Sequence, residues 1–379
     1  MHYTVIIIPI DPDFWIGNVR LSIMKLLLTP DHISYIGRTK LFGDMLFLSL
    51  SGSGIAFEYK GAGLTFTLTA GSAGSIPGND VNYARVAVYL NDERIIDTQL
   101  SKPETLLKIT PPDPSIPSIV RIIKLSECAM SLVGINPPEI AEEDLVKPLS
   151  PKEHKIEFIG DSITCGYGID DEDPLHPFST ATEDVTKAFA YKTAAALNAE
   201  YSMFSISGFG IISGYTPDPA VKVPEARIPA FYESMGFSYD RLPHIPAPMD
   251  IKWDFDSFRP DAIVINLGTT ADSFCQDAAD RQQEFTQEYV TFLQTVREKN
   301  PEARIFCVLG LMGDRLFPCV QEAVCRYRSL TGDSFITAVH LPEQDASIGF
   351  VSDYHPLESA HDKAAHVLIQ AIRETLDWK

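Results

Sequence analysis

Near residue 150 the chain changes its grammar, and no other feature limits its fold so tightly. Up to about residue 135 it consists of short alternating or apolar runs, at 44–50, 54–59, 64–69, 84–90 and 118–125, broken by Gly, Pro, Asn and Asp. Runs of this length with turn residues between them predict a β-sandwich. Residues 136–151 carry prolines and a cluster of acids, which reads as a linker. From Lys155 onward strand runs at 155–159, 200–206, 261–267, 303–309 and 335–340 alternate with helical periods at 188–197, 281–299 and 357–376. Such alternation predicts a parallel sheet covered by helices on both faces, an α/β/α arrangement. The expected division is therefore a sandwich with its linker over 1–150 and an α/β domain over 151–379, two units being natural for 379 residues. The apolar residues 1–9 read as an edge strand, and the Pro- and aromatic-rich stretch 215–256 as a wall or lid of the site.

In open parallel sheets, ligands bind beyond the carboxyl ends of the strands. Four segments fall there. The first strand ends in Gly160-Asp161-Ser162, where a serine at a strand-to-helix turn would sit among free backbone N–H groups. The second is followed by Ser207-Gly208-Phe209-Gly210, with Gly208 the better candidate for a functional turn, and the third by Gly268-Thr269-Thr270. Just before the last helix comes Asp353-Tyr354-His355-Pro356. An Asp two residues ahead of a His can orient the imidazole through Nδ1 and leave Nε2 facing a serine. Of nine histidines only His355 has that context; His2, His32, His154, His176, His244, His361 and His366 read as structural or surface residues.

These blocks resemble the SGNH (GDSL-type) hydrolase superfamily over about residues 155–376. The short Asp-x-His-Pro motif, with Gly37-Arg38, Ser51-Gly52-Ser53-Gly54 and Ile123-Lys124-Leu125-Ser126-Glu127, is similar to carbohydrate esterase family 2, acetyl esterases with an N-terminal jelly-roll domain. The resemblance implies Ser162 as nucleophile, His355 as acid/base, Asp353 as orienting carboxylate, and the N–H groups of Ser162 and Gly208 as oxyanion donors. The family's oxyanion asparagine falls on Thr270, with Ala271 in place of the aspartate and Asp272 one residue later. The implied activity is removal of acetyl groups from O-acetylated saccharides such as acetyl xylan or its oligosaccharides, without metal or organic cofactor. The alternatives are a lipase or thioesterase acting on longer acyl chains, and a saccharide-binding relative impaired in catalysis.

A formal charge of −20 repels phosphate backbones and anionic lipid, so a neutral small-molecule or oligosaccharide ester fits better than nucleic acid or membrane; a homo-oligomer is compatible with the sequence. Cysteines 128, 165, 275, 307, 319 and 325 form no CxxC pair and read as free thiols. The N-terminal residues lack a basic n-region and a cleavage site, from which a cytoplasmic location is expected. If His355 is the base, its ordinary ionisation predicts a rate that rises with an apparent pKa of about 6 to 7.

Overall fold

A computed structural model of the chain describes residues 23–71 and 82–378, together with a two-strand ribbon at Trp15–Ile16 and Val19–Arg20. The edge strand expected over 1–9 lies outside the described residues.

The first half is two antiparallel sheets packed face to face. One has the strand order Glu93–Gln99, Arg85–Leu90, Ser118–Lys124, Gly54–Lys60, Leu145–Pro148, with Ser34–Ile36 also paired to Gly54–Lys60. The other runs Ile23–Lys25, Glu139–Ala141, Leu64–Ala70, Val133–Ile135, Met45–Leu48, Thr39–Phe42, with Glu104–Ile109 added to Leu64–Ala70. In Leu64–Ala70 the apolar residues Leu64, Phe66 and Leu68 are buried while the intervening threonines are half-buried. This period of two turns one face onto Ile55, Phe57, Val86, Val88, Val120 and Ile122 of the opposite sheet. The stretch expected as a linker supplies two of these strands, Glu139–Ala141 and Leu145–Pro148. Its prolines stop the strands from lengthening but do not prevent edge pairing.

The second half is a five-stranded parallel sheet, β1 His154–Gly160, β2 Ala199–Ser205, β3 Ala262–Asn266, β4 Arg304–Leu311 and β5 Ile336–Glu343, in the order 2-1-3-4-5. All five residues of β3 are buried, as a strand covered on both faces requires. Helices α1 Ser162–Cys165, α2 Phe189–Ala196, α3 Thr269–Cys275, α4 Ala279–Lys299, α5 Phe317–Thr331 and α6 Glu358–Leu376 complete the domain. Phe158, Val264 and Val308 pack with α2 and α6 on one face; Ile159, Ile265 and Leu309 pack with α4 and α5 on the other. The strand order reverses direction at β1, so the crevice beyond its carboxyl end is where such a sheet receives a ligand.

Of the wall or lid expected from segment 215–256, its start serves as a wall, the Tyr215 N–H donating to the Gly208 carbonyl at 2.8 Å, and the rest is packed into the body of the protein. The segment forms three short 3₁₀ turns, and Tyr232, Met235, Leu242 and Ile251 are buried beneath it. The fully buried Arg38 of the sandwich donates to the carbonyls of Tyr232 (2.5 Å) and Ser234 (2.7 Å) and to Glu157 Oε1 of β1 (2.9 Å). Phe204, Tyr232, Trp253 and Phe255 surround its guanidinium. The segment therefore straps the two halves together. A cavity of about 420 Å³ at the domain interface is lined by Tyr35, Arg121, Lys152, Tyr191, Tyr201 and Phe258, away from Ser162 and His355.

Candidate active site

β1 passes through Gly160 and Asp161 directly into α1. Asp161 is extended (φ −115°, ψ −150°) and caps the helix, its carboxylate accepting the Ile163 N–H at 3.2 Å. The first N–H groups of a helix have no partner within it, and that of Ser162 meets no acceptor among the described residues. Gly166 ends α1 in the left-handed conformation (φ 78°), where an added Cβ would stand 2.5 Å from the Asp184 carbonyl oxygen.

The last strand leads to the loop that carries His355. Its Nε2 lies 2.8 Å from Ser162 Oγ, and its Nδ1 lies 3.2 Å from the Ser352 carbonyl and 3.3 Å from the Asp353 carbonyl. Carbonyl oxygens only accept, so Nδ1 carries the hydrogen and the Nε2 lone pair faces the serine hydroxyl. Burial pushes the imidazole pKa down to about 4, against the upward pull of the two carbonyls and the Asp353 charge. It is therefore neutral and able to accept a proton across the range in which 6 to 7 was expected to be the limit.

The carboxylate expected on Nδ1 is elsewhere. Asp353 (φ 48°, ψ 38°) and Tyr354 (φ 58°) are both left-handed. The turn is held by the Asp353 N–H on the His176 carbonyl at 3.1 Å and the Ser352 hydroxyl on the same oxygen at 2.8 Å. This geometry presents main-chain oxygens to the imidazole and turns the Asp353 side chain to accept the Tyr167 hydroxyl at 2.5 Å. In this loop the Asp-x-His spacing orients the ring by main-chain carbonyls and not by the carboxylate.

Gly208 also adopts φ +77°, with open space where a Cβ would stand, and its N–H meets no acceptor among the described residues. The loop is held from both sides: the Ser207 N–H donates to Glu127 Oε2 at 2.9 Å, and the Gly208 carbonyl accepts the Tyr215 N–H at 2.8 Å. Ser162 and Gly208 thus supply two uncommitted N–H donors at the carboxyl edge of β1 and β2. Thr270 does not add a third. Its hydroxyl donates to Asp161 Oδ2 at 3.2 Å. A hydroxyl has a single hydrogen, so one committed to Asp161 cannot serve an oxyanion as well.

A profile of the GDSL-like Lipase/Acylhydrolase family matches residues 158–362. The chain belongs to this family. The cellulase/esterase CelE of Acetivibrio thermocellus is 32% identical over 264 residues, which is 67% of this chain and 30% of CelE, so the chain spans under a third of that relative. An acetylxylan esterase / glucomannan deacetylase of Cellvibrio japonicus is 25% identical over 370 residues, 95% of this chain and 94% of the relative. Among solved structures, a family two carbohydrate esterase from Clostridium thermocellum in complex with cellohexaose superposes with a TM-score of 0.77 at 26% identity, covering 92% of this chain and all of that one.

In this GDSL-like hydrolase the sequence motifs do not reveal what lies beneath the oxyanion loop. Glu127, whose carboxylate holds Ser207, comes from the sandwich half and is 1% exposed. Its own N–H donates to Glu183 Oε2 at 2.7 Å, and the buried Lys124 donates to the carbonyls of Ser126 (2.6 Å) and Glu127 (2.7 Å). Burial pushes both carboxyl pKa values up and the Lys124 pKa down, and the opposite charges offset part of that cost. A run such as Ile122-Ile123-Lys124-Leu125-Ser126-Glu127 carries one signal of this, charged residues at the end of an apolar strand.

Proposed function

We propose that the protein is a serine esterase that removes acetyl groups from O-acetylated saccharides. The observation that carries this reading is the 2.8 Å contact between His355 Nε2 and Ser162 Oγ, flanked by the uncommitted N–H groups of Ser162 and Gly208. His355 takes the serine proton as Oγ attacks the acetyl carbonyl, and the negative charge that develops on the carbonyl oxygen is received by the two N–H groups. Collapse expels the sugar hydroxyl, protonated by His355, and leaves an acetyl-enzyme. Water, deprotonated by the same imidazole, then releases acetate.

The substrate class is supported by the acetylxylan esterase / glucomannan deacetylase relative and by the cellohexaose-bound structure. The exposed rings of Tyr354, next to His355, and Tyr215, whose N–H meets Gly208, offer apolar faces for a sugar ring at the mouth of the site. Six free cysteines support a reducing, cytoplasmic setting in which short imported oligosaccharides are the substrate. The test is acetate release from acetylated xylo- and manno-oligosaccharides, with p-nitrophenyl acetate and octanoate compared in parallel. Preference for octanoate, or no release from any sugar acetate, would refute the reading.

A further inference from the structure

We propose that Tyr167 is a positioning residue for the general base, and that the Asp353 carboxylate acts on His355 through it. The proposal rests on the ester-hydrolase reading of the Ser162–His355 pair. The Tyr167 ring lies nearly parallel to the imidazole, with centroids 3.9 Å apart and planes at 17°, and Phe178 packs against it at 4.7 Å. Its hydroxyl donates to Asp353 Oδ2 at 2.5 Å. Asp353 in turn offers its main-chain carbonyl to Nδ1 of the same imidazole at 3.3 Å. One residue therefore grips the ring edge with its backbone and, through Tyr167, the ring face with its side chain.

Two backbone features make this closed loop. Left-handed Asp353 (φ 48°) is what lets carbonyl and carboxylate serve different partners, and so sparsely populated a conformation persists only where its surroundings over-determine it. Gly168 (φ +60°) brings the exit of α1 so close to the histidine loop that an added Cβ would stand 2.6 Å from Ser352 Cβ. Burial and the Asp353 acceptor push the phenol pKa up, so Tyr167 remains a protonated donor.

The imidazole needs such a grip. Its two carbonyl contacts, at 3.2 and 3.3 Å, share one hydrogen and leave rotation of the ring weakly constrained, whereas a stacked ring fixes its plane. The face of the phenol ring also attracts the imidazolium that forms when Ser162 gives up its proton.

The experiment compares wild type, Tyr167→Phe, Asp353→Asn, their double variant and Tyr167→Leu in p-nitrophenyl acetate hydrolysis, with thermal unfolding as the check on folding. Tyr167→Phe deletes the bond, whereas Asp353→Asn keeps an oxygen acceptor and removes only its charge, so Tyr167→Phe should lower kcat roughly 5- to 20-fold and Asp353→Asn by less, each with KM within about twofold, and the double variant should fall no more than about twofold below Tyr167→Phe. Tyr167→Leu should lose about a hundredfold, so that Phe restores most of what Leu removes. The acid limb of the Asp353→Asn profile should move downward, and by well under about one pH unit, since the carboxylate raises the imidazole pKa through space and not through a hydrogen bond to the ring. A loss of about a thousandfold or more in Asp353→Asn with Tyr167→Phe nearly unchanged, or a Tyr167→Leu protein as active as wild type, would overturn the proposal. Nitrogen NMR of the His355 ring reports separately from turnover: the Nδ1–H tautomer should survive Asp353→Asn, and the ring should become mobile in Tyr167→Leu. A wild type that hydrolyses no ester would sink the esterase reading, while the NMR result would still decide the placement of Tyr167.

Discussion

Ser162 stands where a strand becomes a helix, whereas His355 stands at the end of a loop with two successive left-handed residues, and the two were unequally legible for that reason. A strand-to-helix turn is a regular construction: β1 delivers the serine, Asp161 caps α1, and the free N–H groups follow from helix geometry alone. The histidine loop is irregular, and its carbonyls, not its carboxylate, orient the base. What regular elements place can be derived from pattern; what strained backbone places depends on neighbours distant in sequence, here His176 and Tyr167.

The largest expected effect lies on the regular side. Ser162→Ala should reduce acetate release by several orders of magnitude, about 10⁴ or more, with thermal unfolding little changed, because the substitution removes one hydroxyl whose partner is the His355 imidazole and no apolar packing. Activity within about tenfold of wild type would remove Ser162 from the nucleophile's role. Next comes the loop that receives the oxyanion. Glu127→Ala should lower kcat about 10- to 100-fold by releasing Ser207, and Glu127→Gln, which still presents an oxygen to that N–H, should recover much of the loss. Equal activities of the Ala and Gln variants in proteins that remain folded would show that Glu127 does not brace the loop.

The irregular side is sharpened by pH. With the imidazole pKa lowered to about 4, the catalytically competent neutral form persists until the pH falls through that value. The profile of kcat/KM should therefore be flat from about pH 6 to 8 and drop only below about pH 5. An acid limb at about 6 to 7 would mean that water reaches His355 in solution and that its loop opens. The smallest effect belongs to Thr270→Ala, which removes one hydrogen bond from Asp161 and no donor from the oxyanion site, so kcat should change by less than about fivefold. A hundredfold loss in a folded variant would show that Asp161 needs this bond to hold the turn before Ser162.

Much of the architecture could be read from periodicity. All five parallel strands and α2, α4 and α6 lie within a few residues of the apolar runs that announced them. α3 was missed because Thr269-Thr270-Ala271-Asp272-Ser273 has no apolar period, and Glu139–Ala141 and Leu145–Pro148 because prolines and acids around them mimic a linker. The segment 215–256 was read as a wall or lid; its Tyr215 end does border the oxyanion loop, while its other aromatics serve a buried seam around Arg38, a three-dimensional need that leaves no period in one dimension. Glu127 and Tyr167 carry their roles through contacts 80 and 186 residues away, which spacing within a motif cannot encode.

The carboxylate beneath Ser207 has an implication for how such chains exchange parts. A recombination event at residue 150 would cut through packing that the halves share, since Leu50, Cys128 and Ala129 lie in one apolar cluster with Phe204, Ile206 and Phe209, and it would deliver to the α/β half whatever side chain the incoming sandwich carries at the place of Glu127. Inheritance of catalytic rate would then follow the sandwich as much as the domain that bears the serine. The heritable unit of this chemistry begins before the visible domain border, at about Lys124.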